Sequence, residues 1–129
     1  MGIAVDITRE GDEVVSRVNL DHAFEGAPGR AHGGIVSAII DETMGAILPV
    51  VGALAYTATL SITYLAPTPM YEEIEFRARL RERDGRKLFI ECRGSHDSQV
   101  FVEAEALFLA VDLDGWADKF ATPETGEPQ

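Results

Sequence analysis

Two acidic residues inside an apolar stretch are the first sign of chemistry in this chain. Asp41-Glu42 interrupts a run of Ile35, Val36, Ala38, Ile39 and Ile40 that continues to Leu48. A carboxylate set into a buried helix is costly unless it has partners or a task. The same run opens on His32-Gly33-Gly34. Two glycines at a helix start leave bare backbone N–H groups at the positive end of the helix dipole, a natural seat for developing negative charge. Together these residues describe attack on a carbonyl. The Gly33 amide would stabilise the oxyanion, and Asp41 would act as general base on water or as nucleophile.

Geometry then imposes a condition. Gly33 and Asp41 are separated by about 12 Å along one helix axis, too far for one carbonyl to meet both. Two copies of the helix running antiparallel across a two-fold axis bring the start of one beside the second turn of the other. If both residues act on one bond, the site is shared within a dimer. Glu42 follows Asp41 by about 100° around the helix, so only one of the two faces the reacting bond. Gly34 and Glu42 join the candidates as substrate contacts. His32 could orient the loop beside the glycines or move a proton. His22 reads as structural and His96 as an exposed turn residue. No two histidines stand at metal-ligand spacing, and the lone Cys92 gives a zinc site no support. There is neither a Gly-x-Ser-x-Gly elbow nor a phosphate-binding Gly-rich loop.

The elements that must hold these residues follow from periodicity. Residues 1–12 are polar and expected to fray, and Val14, Val15 and Val18 mark a short first strand. Gly26, Pro28 and Gly29 break the loop 21–31, and the helix is expected over 33–48, stopped by Pro49. From Tyr56 the period switches to two: Tyr56, Ala58, Leu60, Ile62 and Tyr64 on one face, Thr57, Thr59, Ser61 and Thr63 on the other. A third strand spans 72–82, Asp84-Gly85 is a hairpin turn, and strands at 86–94 and 99–111 flank a turn over 94–98. One strand, one apolar helix and four antiparallel strands make an α+β domain over 13–111, with the sheet wrapped round the helix. The tail 112–129 is polar; Trp116 and Phe120 are its candidate anchors, and 121–129 is expected to be disordered.

The chain has 129 residues and a formal net charge of −11, which argues against a nucleic-acid partner. No apolar run reaches the ~20 residues of a membrane helix, and the N-terminus has no secretion-signal pattern, so a cytoplasmic protein is expected, with no membrane partner. Cys92 reads as a plain buried thiol. The charge is uneven: residues 77–93 hold seven basic residues against three acidic ones. Either this hairpin has a solvated outer face, or it meets an anionic, phosphate-bearing ligand.

The pattern Phe24-x-Gly26-x-Pro28-Gly29-x-x-His32-Gly33-Gly34-x(6)-Asp41-Glu42-x-x-Gly45 resembles the signature of the hotdog-fold acyl-CoA thioesterases of the phenylacetate-pathway type. Thr57-Ala58-Thr59-Leu60-Ser61-Ile62-Thr63-Tyr64-Leu65-x-Pro67 is similar to that family's next strand. The resemblance spans about residues 12–111. It implies a long helix wrapped by a curved antiparallel sheet, a homodimer joined through a continuous sheet, and often a dimer of dimers. Asp41 matches the family's catalytic carboxylate, Gly33 its carbonyl-polarising amide, and Thr57 a hydroxyl that helps hold the attacking water. Arg81, Arg83, Arg86 and Lys87 fall where such proteins often meet the phosphates of coenzyme A. Some members carry an Asn or Gln a few residues before the His; here Gly26-Ala27-Pro28-Gly29 offers no side-chain amide. The implied activity is acyl-CoA hydrolysis with no cofactor beyond the coenzyme A of the substrate. The alternatives are a non-catalytic acyl-CoA binder and an acyl-thioester dehydratase or hydratase.

Overall fold

The computed structural model describes residues 5–21 and 33–111. The expectations for His22, for the loop through His32 and for the tail with Trp116 and Phe120 fall outside these residues. Six strands and two helical segments run in the order β1 (Asp6–Glu10), β2 (Glu13–Asn19), α1 (Gly33–Gly45), α2 (Ile47–Val51), β3 (Ala55–Tyr64), β4 (Glu73–Asp84), β5 (Lys87–His96) and β6 (Gln99–Ala110). The strands form one sheet in the order β1-β2-β4-β5-β6-β3, with every neighbouring pair antiparallel.

Why α1 lies in this sheet is visible in its spacing. Val36, Ile39, Ile40, Thr43 and Met44 are its buried residues. They fall at helical intervals that make one stripe. The stripe packs on the inward residues of the sheet, among them Val18, Ile74, Phe76, Leu88, Ile90 and Phe108. Each fully buried Ile, Leu or Phe stabilises the fold by ~1.5–3 kcal/mol. One polar link crosses this apolar layer. Thr43 spends its single proton on the Ile39 carbonyl at 2.6 Å, so the Ser16 hydroxyl donates to Thr43 Oγ1, also at 2.6 Å. Both hydroxyls are wholly buried. Together α1 and α2 are long and apolar enough to cross a membrane by length and composition alone. Their packing on the sheet makes them the core helix.

Several expectations need correction. Asp6–Glu10, expected to fray, pairs residue for residue with β2 as the edge strand β1. Pro49 does not stop the helix. α1 ends at Gly45, Ala46 keeps right-handed helical dihedrals between the two segments, and Pro49 occupies the first turn of α2, where backbone N–H groups have no helical partner to lose. The stop comes at Gly52, whose φ of 68° allows the N–H of Gly52 to reach Pro49 O and that of Ala53 to reach Leu48 O. The β5–β6 turn is shorter than expected. Only Asp97 and Ser98, with φ of 49° and 66°, form it, and His96 belongs to the strand.

Three register shifts curve the sheet. They fall between Thr57 and Thr59 in β3, between Leu80 and Glu82 in β4, and beside Gly94/Ser95, where Val100 and Val102 flank an unpaired Phe101. Each adds a residue to one strand and bends it. The last demands a glycine, since a Cβ on Gly94 would lie 2.6 Å from Val102 Cγ1 and 2.9 Å from both Phe76 and Phe101. The outcome is a curved antiparallel sheet wrapped round one helix, as the resemblance implies.

Candidate active site

The buried stripe of α1 leaves another face outward. Gly33, Ser37 and Asp41 stand at successive intervals of four on that face, and Gly33 and Asp41 are exposed. Strand β3 runs alongside and supplies two hydroxyls. Thr57 Oγ1 donates to Asp41 Oδ1 at 3.1 Å. The Tyr64 hydroxyl donates to the Gly33 carbonyl oxygen at 3.2 Å.

This arrangement depends on the β3 bulge. Strict alternation put Thr57 on the face opposite Leu60, Ile62 and Tyr64. The observed pairs are Thr57↔Phe108, Leu60↔Ala106, Ile62↔Ala104 and Tyr64↔Val102. Directly paired residues share a face, and these partners are the buried, helix-facing residues of β6. Ala58 is the extra residue. It turns Thr57 inward, which is why its hydroxyl reaches Asp41. Ser37 and Tyr64 were not among the expected site residues. The interval of four from Gly33 to Ser37 to Asp41 was a usable signal for Ser37; nothing local in the sequence pointed to Tyr64.

Gly33 and Gly34 are the exposed first residues of α1, where a helix presents amides at its positive end. Glu42 is exposed beside Asp41; its backbone carbonyl accepts the Ala46 N–H at 3.1 Å. His32 lies outside the described residues. Among the described residues Asp41 pairs with no cation and no metal cluster forms. A carboxylate with one oxygen held by Thr57 keeps the other for a water molecule. The strip is open to solvent along its length in the single chain.

The basic hairpin divides. Most of its arginines meet acids that are distant in sequence but adjacent across the sheet. Arg77 contacts Glu13 at 2.8 Å, Glu10 at 3.1 Å and Glu75 at 3.2 Å. Arg79 pairs with Glu91, and Arg93 with Glu103 at 3.5 Å. Arg17 and Arg77 together hold the Glu10 carboxyl below its usual range. Arg81 pairs with Glu105 at 3.4 Å and stands over the Phe89 ring. That face is a largely self-neutralised ladder, which ends at the hairpin tip. There Arg86 Nε donates to Ala110 O at 3.1 Å, and Arg83 and Lys87 have no ion pair among the described residues. The β4 bulge puts Arg83 in one row with Leu88, Phe108 and Thr57. Arg83 therefore shares the helix-facing side with Thr57, about 14 Å away at ~4.8 Å per strand.

His96 is not a loose turn residue. Its Nδ1 meets Glu73 O at 3.1 Å, and its Nε2 meets Glu72 at 3.2 Å and Asp97 at 3.3 Å. Cys92 is buried as expected, and burial pushes its thiol up to about 12.

A single apolar helix in a curved antiparallel sheet, with a carboxylate and a glycine helix start on its outer face, is a hotdog-fold protein. The chain belongs to the thioesterase superfamily, whose family model matches residues 28–103. It is 38% identical over 91 residues to the mouse acyl-coenzyme A thioesterase THEM4, covering 69% of this chain and 39% of that protein. The chain thus spans about two fifths of the length of the curated relatives it matches. Among solved structures it resembles protein RHA08564, a thioesterase superfamily protein, at 33% identity and a TM-score of 0.73, covering 76% of this chain and 49% of that one. It shares its fold with smu.793 from Streptococcus mutans bound to acetyl CoA, at 18% identity and a TM-score of 0.78, covering 84% of this chain and 89% of that one.

Proposed function

We propose that this chain is an acyl-CoA thioester hydrolase with its site shared across a homodimer. The observation that carries the reading is the Thr57-to-Asp41 hydrogen bond at 3.1 Å on the helix that Gly33 opens. Asp41 removes a proton from water as the water oxygen attacks the thioester carbonyl. The new oxyanion sits on the Gly33 amide of the partner subunit, a donor aimed before the charge develops. The tetrahedral intermediate collapses, the C–S bond breaks, and the thiolate takes the proton back from Asp41 or leaves as the anion. A thiolate is a good leaving group, so a dedicated acid is unnecessary.

Three features support this reading. The acyl-coenzyme A thioesterase name of the mouse relative favours the substrate class. Arg83, on the helix-facing side at the hairpin tip, suits the phosphates of coenzyme A, and Lys87 adds positive charge at the same tip from the opposite face. The sheet edges favour the dimer. Edge strand β1 carries Asp6, Arg9 and Glu10, whereas β3, ten residues long at the other edge, has no charge from Ala55 to Tyr64. Unpaired edges are usually blunted with charge. An uncharged edge suits pairing with a second β3, which would also cover the open strip.

The test is thiol release from short, medium, long and aromatic acyl-CoAs by wild type and Asp41→Ala. A loss of turnover by more than about a hundredfold, with the dimer intact, is expected. Full turnover by Asp41→Ala removes the mechanism. Saturable acyl-CoA binding without turnover makes the chain a binding module. Labelled oxygen appearing in Asp41 after one turnover in heavy water-oxygen would make it a nucleophile.

A further inference from the structure

Edge strand β1 carries an apolar side chain that points toward the core yet stays partly uncovered. Ile7 pairs with Ser16 and Arg9 with Val14. Directly paired residues share a face. Val14 belongs to the core and Ser16 reaches Thr43 of α1, so this face looks toward the helices. Ile7 therefore projects inward, but it is 38% exposed. Opposite it stands the short α2, with Pro49 exposed and Ala46 and Val50 half-buried. Between the two elements lies a groove of about 260 Å³, to which Ile7, Arg9, Val14, Ala46, Pro49 and Val50 all contribute. One exposed isoleucine needs no explanation, whereas a groove with apolar walls on both sides and a buried floor calls for an occupant.

The chain itself brings one to the rim. The Ala53 N–H reaches Leu48 O at 2.9 Å, and the next residue, Leu54, accepts from the Val111 N–H at 2.8 Å. These links hold the Val111 and Pro49 nitrogens within about 15 Å of each other. Residues 112–129 continue from Val111, outside the described residues. Five extended residues span about 17 Å, which is enough to bring Trp116 to the groove. The chemistry is complementary. Trp116 and Phe120 offer aromatic surface at an interval of four, with Asp112, Asp114 and Asp118 among them. Arg9 at the groove spends its Nε on the Gly11 carbonyl and has no ion pair among the described residues, so its charge suits an acidic segment.

We propose that residues 112–121 fold back on their own chain and seat Trp116 in this groove, against Ile7 and Pro49. The docking ties edge strand β1 to the exit of α2, and it stands apart from the hydrolase reading.

Trp116 is the sole tryptophan, so its emission reports on the segment directly. Acrylamide quenching is compared for full-length wild type, Ile7→Asp and Pro49→Asp, with urea-unfolded wild type as the free limit. Wild-type Trp116 should be quenched about threefold less than that limit, since a seated indole buries most of its large surface. Either substitution, with the circular dichroism of wild type retained, should move quenching to the limit and shift the emission to the red. If Ile7→Asp does not fold, Pro49→Asp, at an exposed position, decides. Quenching of folded wild type at the free limit overturns the proposal. So does protection that survives both substitutions, which would put the indole elsewhere. The same segment of a second copy is tested by exchange. Wild type mixed with an excess of chains carrying both Ile7→Asp and Trp116→Phe should keep its protection. A rise to the free limit would seat Trp116 on the partner and overturn docking within one chain.

Discussion

Thr57 touches the proposed base with one hydroxyl. Thr57→Val keeps the shape and removes the donor, so kcat should fall about tenfold with KM retained, as steady-state kinetics would show. His96 makes a pH prediction. Both ring nitrogens face only acceptors, and the Glu73 carbonyl first, with the Asp97 and Glu72 carboxylates, raises its pKa above the ordinary 6.5. A raised folded value means that the contribution is complete below the unfolded pKa and is lost as pH rises through the folded one. Urea midpoints of wild type should therefore exceed those of His96→Gln below pH ~6.5, with the gap closing above it. Gly94 tests packing: Gly94→Ala would press a methyl between Val102, Phe76 and Phe101 and should cost ~1–3 kcal/mol in denaturant unfolding. At this scale residue type alone made Asp41 and the glycine pair candidates, and the structure places both exposed on α1. Tyr64 was not a candidate, because a tyrosine on a strand reads as packing until its partner across the fold is seen.

Elements were legible wherever periodicity held. The apolar helix, the four later strands and the antiparallel sheet could all be anticipated. Errors cluster where one residue is inserted or displaced. The extra Ala58 reverses the parity that put Thr57 outward, and a bulge leaves no mark in hydrophobic alternation when the neighbours are all small or β-branched. Pro49 misled for a related reason: proline stops a helix interior but suits a first turn, and the break between α1 and α2 at Ala46 has no strong local signal. The Ser16–Thr43 link can be weighed directly. Thr43→Val strands the buried Ser16 hydroxyl and should cost ~1–3 kcal/mol. Adding Ser16→Ala should recover much of that loss, and a double-mutant cycle in urea measures it.

For the whole molecule, charge counted along the chain was a poor guide to charge in space. The basic excess over 77–93 is largely matched by Glu10, Glu13, Glu75, Glu103 and Glu105, most of which stand on neighbouring strands. Sequence distance hides such pairings until the sheet order is known. The dimer argument reaches furthest from single residues. If Gly33 and Asp41 act across a two-fold axis, two dead variants can rescue each other. Gly33→Pro removes the amide at a position where a helix tolerates proline, and Asp41→Ala removes the base. After subunit exchange, a mixture in equal amounts should regain about a quarter of wild-type activity, since half the dimers carry one intact site. No recovery despite proven exchange would mean that Gly33 and Asp41 do not act together on one bond across the two-fold axis.

The burial of Cys92 has a bearing on the thiol this chain is proposed to liberate. It is the one sulfhydryl in the chain, and with its thiol pushed up to about 12 it stays protonated and shielded. Thiol–disulfide exchange runs through the thiolate. The folded protein should therefore form no mixed adduct with its own product as coenzyme A accumulates, whatever the redox poise around it. A chromogenic disulfide added to follow product would likewise ignore the protein itself. Colour that grows without substrate would count unfolded chains, making the same reagent a clock for turnover and a gauge of native population.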